Sequence, residues 1–165
     1  MRKIMIVDDN YLSAEGIEKN IDWEVLNAEI VHICYNGTSA IDAMKKEPVD
    51  LIISDIEMPD LDGISMSRQA LDINPMVKII LISAYDKFEY ARRALLLGAL
   101  DYIEKPLDYA YLIQKVKNAF ALMEREQKNL QLVKQSRPLL IEKFFCDITH
   151  RPRQEASYRL KPYLN

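Results

Sequence analysis

The sequence predicts an α/β protein: a doubly wound, five-stranded parallel sheet with a C-terminal helical extension. Three observations carry this. Short apolar runs alternate with amphipathic stretches five times in succession. The apolar runs lack the in–out alternation of a half-solvated strand, so both faces of the sheet are covered. At 165 residues, 49% hydrophobic and 28% charged, the chain holds apolar material for about one packed domain plus an appendage, which excludes wholesale disorder.

The first strand is Ile4–Val7, followed by a helical pattern over 11–20. Glu29–Cys34 is rich in β-branched residues and makes the second strand. A helix over 38–46 stops at Pro48. Leu51–Ile53 is the third strand, and residues 64–73 read as helix before Asn74 and Pro75. Val77–Ile82 is the most continuous strand, interrupted only by Lys78. A longer helix covers 87–97 and ends at Gly98, a natural C-cap. Asp101–Ile103 is the fifth strand, and the next helix spans 108–123. The flavodoxin-like order 2-1-3-4-5 suits five such strands, although periodicity does not itself order them.

Beyond this lies a different kind of segment. No Gly or Pro interrupts Leu112–Leu130, and Val116, Phe120, Met123, Gln127 and Leu130 follow heptad spacing. The pattern fits either a last domain helix that overhangs into solvent or a dimerising coiled coil. Pro138 is expected to break the helix, leaving 139–148 as a second short amphipathic helix. The expected organisation is a domain over 1–123, a helical linker over 124–150 and a tail over 151–165.

The net charge of −3 divides unevenly. Residues 1–124 carry 13 basic and 21 acidic side chains, a net of −8, and residues 125–165 carry 9 and 4, a net of +5. The two parts are expected to do different jobs. No apolar run approaches the roughly 18 residues of a membrane span, and two aspartates close behind the N-terminus exclude a signal peptide. The two cysteines, Cys34 and Cys146, form no framework, so a reduced, cytoplasmic setting is expected.

In a doubly wound sheet, chemistry gathers at the carboxyl ends of the strands. Asp8 and Asp9 follow the first strand, Asp55 the third, Ser83 the fourth and Lys105 the fifth. In the order 2-1-3-4-5 the three aspartates converge at the switch point. Carboxylates that close oppose one another's ionisation unless a cation neutralises them. Mg²⁺ suits such a site, because it takes one or two carboxylates and keeps waters. No Gly-rich phosphate loop is present, so nucleotide binding has little support. His32 and His150 are isolated. What remains is phosphoryl transfer onto an aspartate, with the cation and Lys105 neutralising charge.

These residues carry a resemblance. Ile6-Val7-Asp8-Asp9, Leu51-Ile52-Ile53-Ser54-Asp55-Ile56-Glu57-Met58-Pro59, Asp62-Gly63, Ile82-Ser83-Ala84-Tyr85 and Asp101-Tyr102-Ile103-Glu104-Lys105-Pro106 resemble the receiver domain of two-component response regulators. The resemblance covers residues 1–123. It implies that Asp55 is the phospho-acceptor, charged by the phosphohistidine of a sensor histidine kinase. It implies Mg²⁺ held by Asp8, Asp9, Asp55 and the backbone carbonyl of Glu57. It makes Lys105 the phosphate partner, Pro106 a cis-proline neighbour, and Ser83 and Tyr102 the switch pair. On phosphorylation Ser83 moves toward the phosphoryl group and Tyr102 fills the space it leaves, altering the 87–123 face. Such a domain catalyses only its own phosphoryl transfer and dephosphorylation.

Ile21-Asp22-Trp23-Glu24 and Ser83-Ala84-Tyr85-Asp86-Lys87-Phe88-Glu89-Tyr90-Ala91 resemble receivers fused to AraC-type DNA-binding domains. Residues 137–151 are similar to the linker of such proteins. This implies a homodimer formed through the linker helix or the 87–123 face, and DNA contact only through an output domain that the chain does not contain. Two other functions compete. A phosphatase of the haloacid dehalogenase type would want an aspartate where Glu57 stands. A module binding nucleic acid through its basic tail sits poorly with the −8 of the main domain.

Overall fold

The computed structural model describes residues 1–84, 96 and 98–149, with side chains described to residue 134. Five strands form one parallel sheet: β1 (Arg2–Val7), β2 (Ala28–Cys34), β3 (Leu51–Asp55), β4 (Lys78–Ser83) and β5 (Asp101–Glu104). The strand order is 2-1-3-4-5, as expected from the sequence. The described helices are α1 (Tyr11–Asn20), α2 (Gly37–Lys46), α3 (Gly63–Ile73) and α4 (Tyr109–Thr149). Apart from Leu96, the helix expected over 87–97 lies outside the described residues; Gly98 after it has φ +88, the left-handed backbone of a C-cap.

The unalternating strands are explained by burial on both sides. Met5, Val7, Ile52, Ile79 and Leu81 pack in one cluster with Ala40, Ile41 and Met44 of α2 and Ile64, Met66 and Ala70 of α3. The alternate residues Ile4, Ile6, Ile53 and Ile80 point to the opposite face and are equally buried. There Ile17 of α1 and Tyr109 of α4 share a groove with Ile82. Each fully buried Ile or Leu contributes roughly 1.5–3 kcal/mol, so Leu51, Ile52 and Ile53 hold β3 deep in the sheet and carry Ser54 and Asp55 into buried positions at its end.

Side-chain caps fix where the helices begin. Asn10 accepts from the amides of Leu12 and Ser13, Asn36 from Ser39, and Asp62 from Ser65. The turn leading into β2 is built on Trp23, whose carbonyl accepts from Leu26 and Ala28 while its indole N–H donates to Glu18 O at 3.2 Å. Trp23 is buried and sits at the amino edge of the sheet.

Three expectations need correction. Asp55 and Ser83 are the last residues of β3 and β4 rather than the first residues beyond them. Pro138 does not break the C-terminal helix: α4 runs unbroken to Thr149 and absorbs the segment assigned to a second helix. A proline removes one i→i−4 hydrogen bond, and here the helix continues across that gap. The first part of the heptad stripe is also not a free seam. Its first member, Val116, is completely buried within its own domain, as are Leu112 and Ala119 beside the stripe.

The chain divides into two compact units, Met1–Ala121 and Leu122–Asn165. In the second unit Leu130, Leu132 and Val133 are exposed. Among the described residues, no helix is long and apolar enough to cross a membrane.

Candidate functional site

The carboxyl edge of the sheet brings together residues from the ends of β1, β3 and β5. Asp8 leaves β1 with its amide N–H bonded to the Cys34 carbonyl of β2. Its side chain is buried, with Oδ1 accepting from the Asn10 amide at 2.9 Å. Asp9, next in the chain, is exposed. Asp55 ends β3 and is only 6% exposed. One carboxylate oxygen from each of Asp8, Asp9 and Asp55 lies within 4.8 Å of the others.

Lys105 reaches into this trio from the end of β5. Its Nζ donates to Asp8 Oδ2 at 3.2 Å and stands 3.4 Å from Asp55 Oδ2. The Lys105 amide is anchored to the Ser83 carbonyl, and the peptide bond to Pro106 is cis. A groove of about 310 Å³ opens beside Asp8 and Lys105, so solvent reaches the cluster from that side.

Burial pushes the Asp55 carboxyl up from 3.8 to about 6, and the Asp8 charge adds to this while Lys105 opposes it. For Lys105, burial works against the charge, but the Asp55 and Asp8 carboxylates outweigh it and raise its pKa. One ammonium thus serves two buried carboxylates. Asp55 Oδ1 is buried and accepts no hydrogen bond from the described residues. Three oxygen donors with an orphaned buried acceptor fit a small, hard cation.

The other sequence-predicted residues fall nearby in the fold with differing exposure. Ser83 is fully buried at the end of β4. Tyr102 is half-buried on β5 and packs against the core cluster. Glu57 is half-buried in the loop between β3 and α3, two residues past Asp55. That loop is compact. Ile56 O accepts from Met58 N at 3.2 Å and Gly63 N at 2.9 Å, while Leu61 N donates to Pro59 O at 2.8 Å. Asp60 takes a positive φ of 67 to make the turn.

Asn10 and Gly37 escaped sequence reasoning, and Gly63, part of the Asp62-Gly63 motif, makes a contact that the motif did not foretell. Asn10 both caps α1 and orients Asp8; an Asn just before a helix was the available signal. Gly63 allows α3 to start against β3, since a Cβ there would lie 2.1 Å from the Asp55 carbonyl. Gly37 allows α2 to start against the loop, since its Cβ would lie 2.5 Å from the Leu61 carbonyl. Nothing in the sequence marks the two glycines as contact points.

Comparison with known proteins agrees with this geometry. Residues 4–117 match the response regulator receiver domain. The chain belongs to that family. Among solved structures, this receiver domain superposes on the receiver domain of AraT, a response regulator from Geobacillus stearothermophilus. The TM-score is 0.72 at 34% identity, covering 76% of this chain and 98% of that one. It superposes on a two-component transcriptional regulator AraC from Clostridium phytofermentans at TM-score 0.69 and 30% identity, covering 78% and 99%. It is 29% identical over 126 residues to the transcriptional regulatory protein YesN of Bacillus subtilis, covering 76% of this chain and 34% of YesN. It is 32% identical over 114 residues to the transcriptional regulatory protein HptR of Staphylococcus aureus, covering 68% and 44%. The receiver domain therefore spans less than half the length of these curated relatives.

Proposed function

We propose that this receiver domain, working in the cytoplasm, takes a phosphoryl group from the phosphohistidine of a sensor histidine kinase onto Asp55, and thereby controls a DNA-binding output carried elsewhere in a transcription regulator. The observation that supports this most is the placement of Lys105 between Asp8 and Asp55, beside an exposed Asp9, at the mouth of the sheet.

Asp8, Asp9, Asp55 and the backbone carbonyl of Glu57 are the residues that would hold Mg²⁺. When bound, the ion neutralises the carboxylates and draws charge from the transferring phosphoryl group. The chain's own residues do the rest. An Asp55 carboxylate oxygen attacks phosphorus as the P–N bond to the donor imidazole breaks, and that electron pair leaves with the imidazole. With a pKa of about 6, Asp55 is ionised and nucleophilic at neutral pH. Lys105 holds the developing negative charge of the phosphoryl oxygens. The aspartyl phosphate then adds charge at a fixed point, and the Ser83 hydroxyl turns to it while Tyr102 occupies the vacated space. This two-position element carries the signal. Hydrolysis of the same bond resets it.

Self-association belongs to the apolar residues beyond Met123, since Leu112, Val116 and Ala119 are used by the domain itself. The part of the alternative 87–123 face before Gly98 falls largely outside the described residues.

Incubation with Mg²⁺ and a small phosphodonor such as acetyl phosphate tests the central claim. Intact-mass spectrometry should show one added phosphate that is absent in Asp55→Ala. An unchanged mass, or the same gain in the variant, overturns it.

A further inference from the structure

We infer that Gly37, which lies outside the carboxylate cluster, is a positioning residue for the cation site. The inference rests on the assignment of Asp55 and the Glu57 carbonyl to that site, and follows one mechanical path. Gly37 is the first residue of α2, set by the Asn36 cap. A Cβ at this position would meet the Leu61 carbonyl oxygen at 2.5 Å, Leu61 Cβ at 3.0 Å and Leu61 Cγ at 3.1 Å. The nearest of these is backbone and cannot swing aside. Leu61 is itself half-buried against the core cluster, so the loop has core behind it.

The loop also transmits displacement. Its two ends meet at one atom, the Ile56 carbonyl, which binds both Met58 N and Gly63 N. Its middle is closed by Leu61 N on Pro59 O, with Asp60 at positive φ. Glu57 lies inside this closed ring of hydrogen bonds, four residues from Leu61. A shift of the Leu61 carbonyl by several tenths of an ångström therefore moves the segment bearing the Glu57 carbonyl. The Asp55 carboxylate is held separately, at the end of a fully buried strand and beside Lys105. The missing Cβ of Gly37 sets the loop's position relative to Asp55, and with it the fit of one cation donor against the others. Mg²⁺ is sensitive to such misplacement because it demands near-ideal octahedral geometry.

The test uses the full chain and three variants. Gly37→Ala adds the offending carbon. Leu61→Ala removes the Cγ against which α2 seats and loosens the same contact without crowding it. Gly98→Ala is the control, strained by its φ of +88 with no atom of the described residues within 4 Å of the added carbon. It sits before β5, at the opposite edge of the sheet from the cluster. Two quantities are read: the Mg²⁺ concentration giving half-maximal labelling of Asp55 by acetyl phosphate, and the rise in melting temperature on adding Mg²⁺.

Gly37→Ala should raise the half-maximal Mg²⁺ concentration at least five-fold while the labelling rate at saturating Mg²⁺ stays within about two-fold. Its Mg²⁺-induced melting shift should shrink in parallel. Leu61→Ala should move both readings the same way by a smaller factor, and it carries the test if Gly37→Ala does not fold. Gly98→Ala should melt earlier with a wild-type Mg²⁺ response. If Gly37→Ala, or Leu61→Ala in its place, melts earlier but responds to Mg²⁺ like the wild type, Gly37 is structural only and the inference is overturned. A wild-type chain that neither labels nor responds to Mg²⁺ overturns the parent assignment instead.

Discussion

The ammonium of Lys105 stands 3.4 Å from the Asp55 carboxylate, and the same ammonium is shared with Asp8 at 3.2 Å. Two buried anions therefore depend on one cation, 50 residues along the chain from Asp55 and 97 from Asp8. Removing it leaves Asp55 and Asp8 facing each other without compensation.

Lys105→Met tests this dependence. Labelling of Asp55 by acetyl phosphate should slow by about 10²-fold or more, the usual cost of losing one preorganised electrostatic partner. The apparent pKa of Asp55, followed by side-chain carboxyl NMR, should rise above about 6, because the opposing charge is gone. A pKa that falls or stays fixed would contradict the geometry.

Asp55→Asn should abolish labelling and also stabilise the metal-free domain at neutral pH. The native carboxyl binds its proton more tightly than the unfolded one, at about 6 against 3.8. Below 3.8 both states are protonated and the group is neutral in its effect. Stability is then lost as pH rises to 6, because the native state must give up a proton it holds more firmly. The full difference is at most about 3 kcal/mol at 1.36 kcal/mol per pH unit. Urea melts without Mg²⁺ should show the variant more stable at pH 7.5, with the gap closing by pH 4.

Gly63→Ala should destabilise the fold by about 1–3 kcal/mol or more, since its Cβ would press on the Asp55 carbonyl at 2.1 Å. Urea denaturation at pH 7.5 reads this directly. A change below 0.5 kcal/mol, of the order seen at ordinary surface sites, would mean that α3 shifts without resistance.

The wild-type chain should sediment as a dimer, and a double substitution, Leu130→Lys with Val133→Lys, should leave a monomer at the same concentration. Both side chains are exposed. Substituting buried Val116 should instead lower the melting temperature. Sedimentation velocity and thermal melts separate the two outcomes.

The layout of the sheet was legible because its strands are continuous apolar runs punctuated by Asp, Asn, Pro and Gly. Asp8, Asp9, Asp55 and Lys105 were legible because parallel topology sends every strand's carboxyl end to the same edge. What escaped was of two kinds. Gly37 and Gly63 matter for a carbon they lack, and the atoms that need the room are 24 and 8 residues away. The heptad spacing of α4 shows that one stripe is apolar without saying what covers it. Val116, its first member, turned out to belong to the domain core. Pro138 misled for a related reason: its local penalty forecast a break, but α4 continues through it.

Trp23 is the chain's single tryptophan, and it lies in the turn before β2, at the edge of the sheet away from the carboxylates. Its indole is enclosed and bonded to a helix carbonyl. The intrinsic emission of this protein is therefore a natural gauge of whether the domain is folded. The indole stands at the opposite edge of the sheet from Asp55, so an optical readout beside the carboxylates requires a fluorophore introduced there.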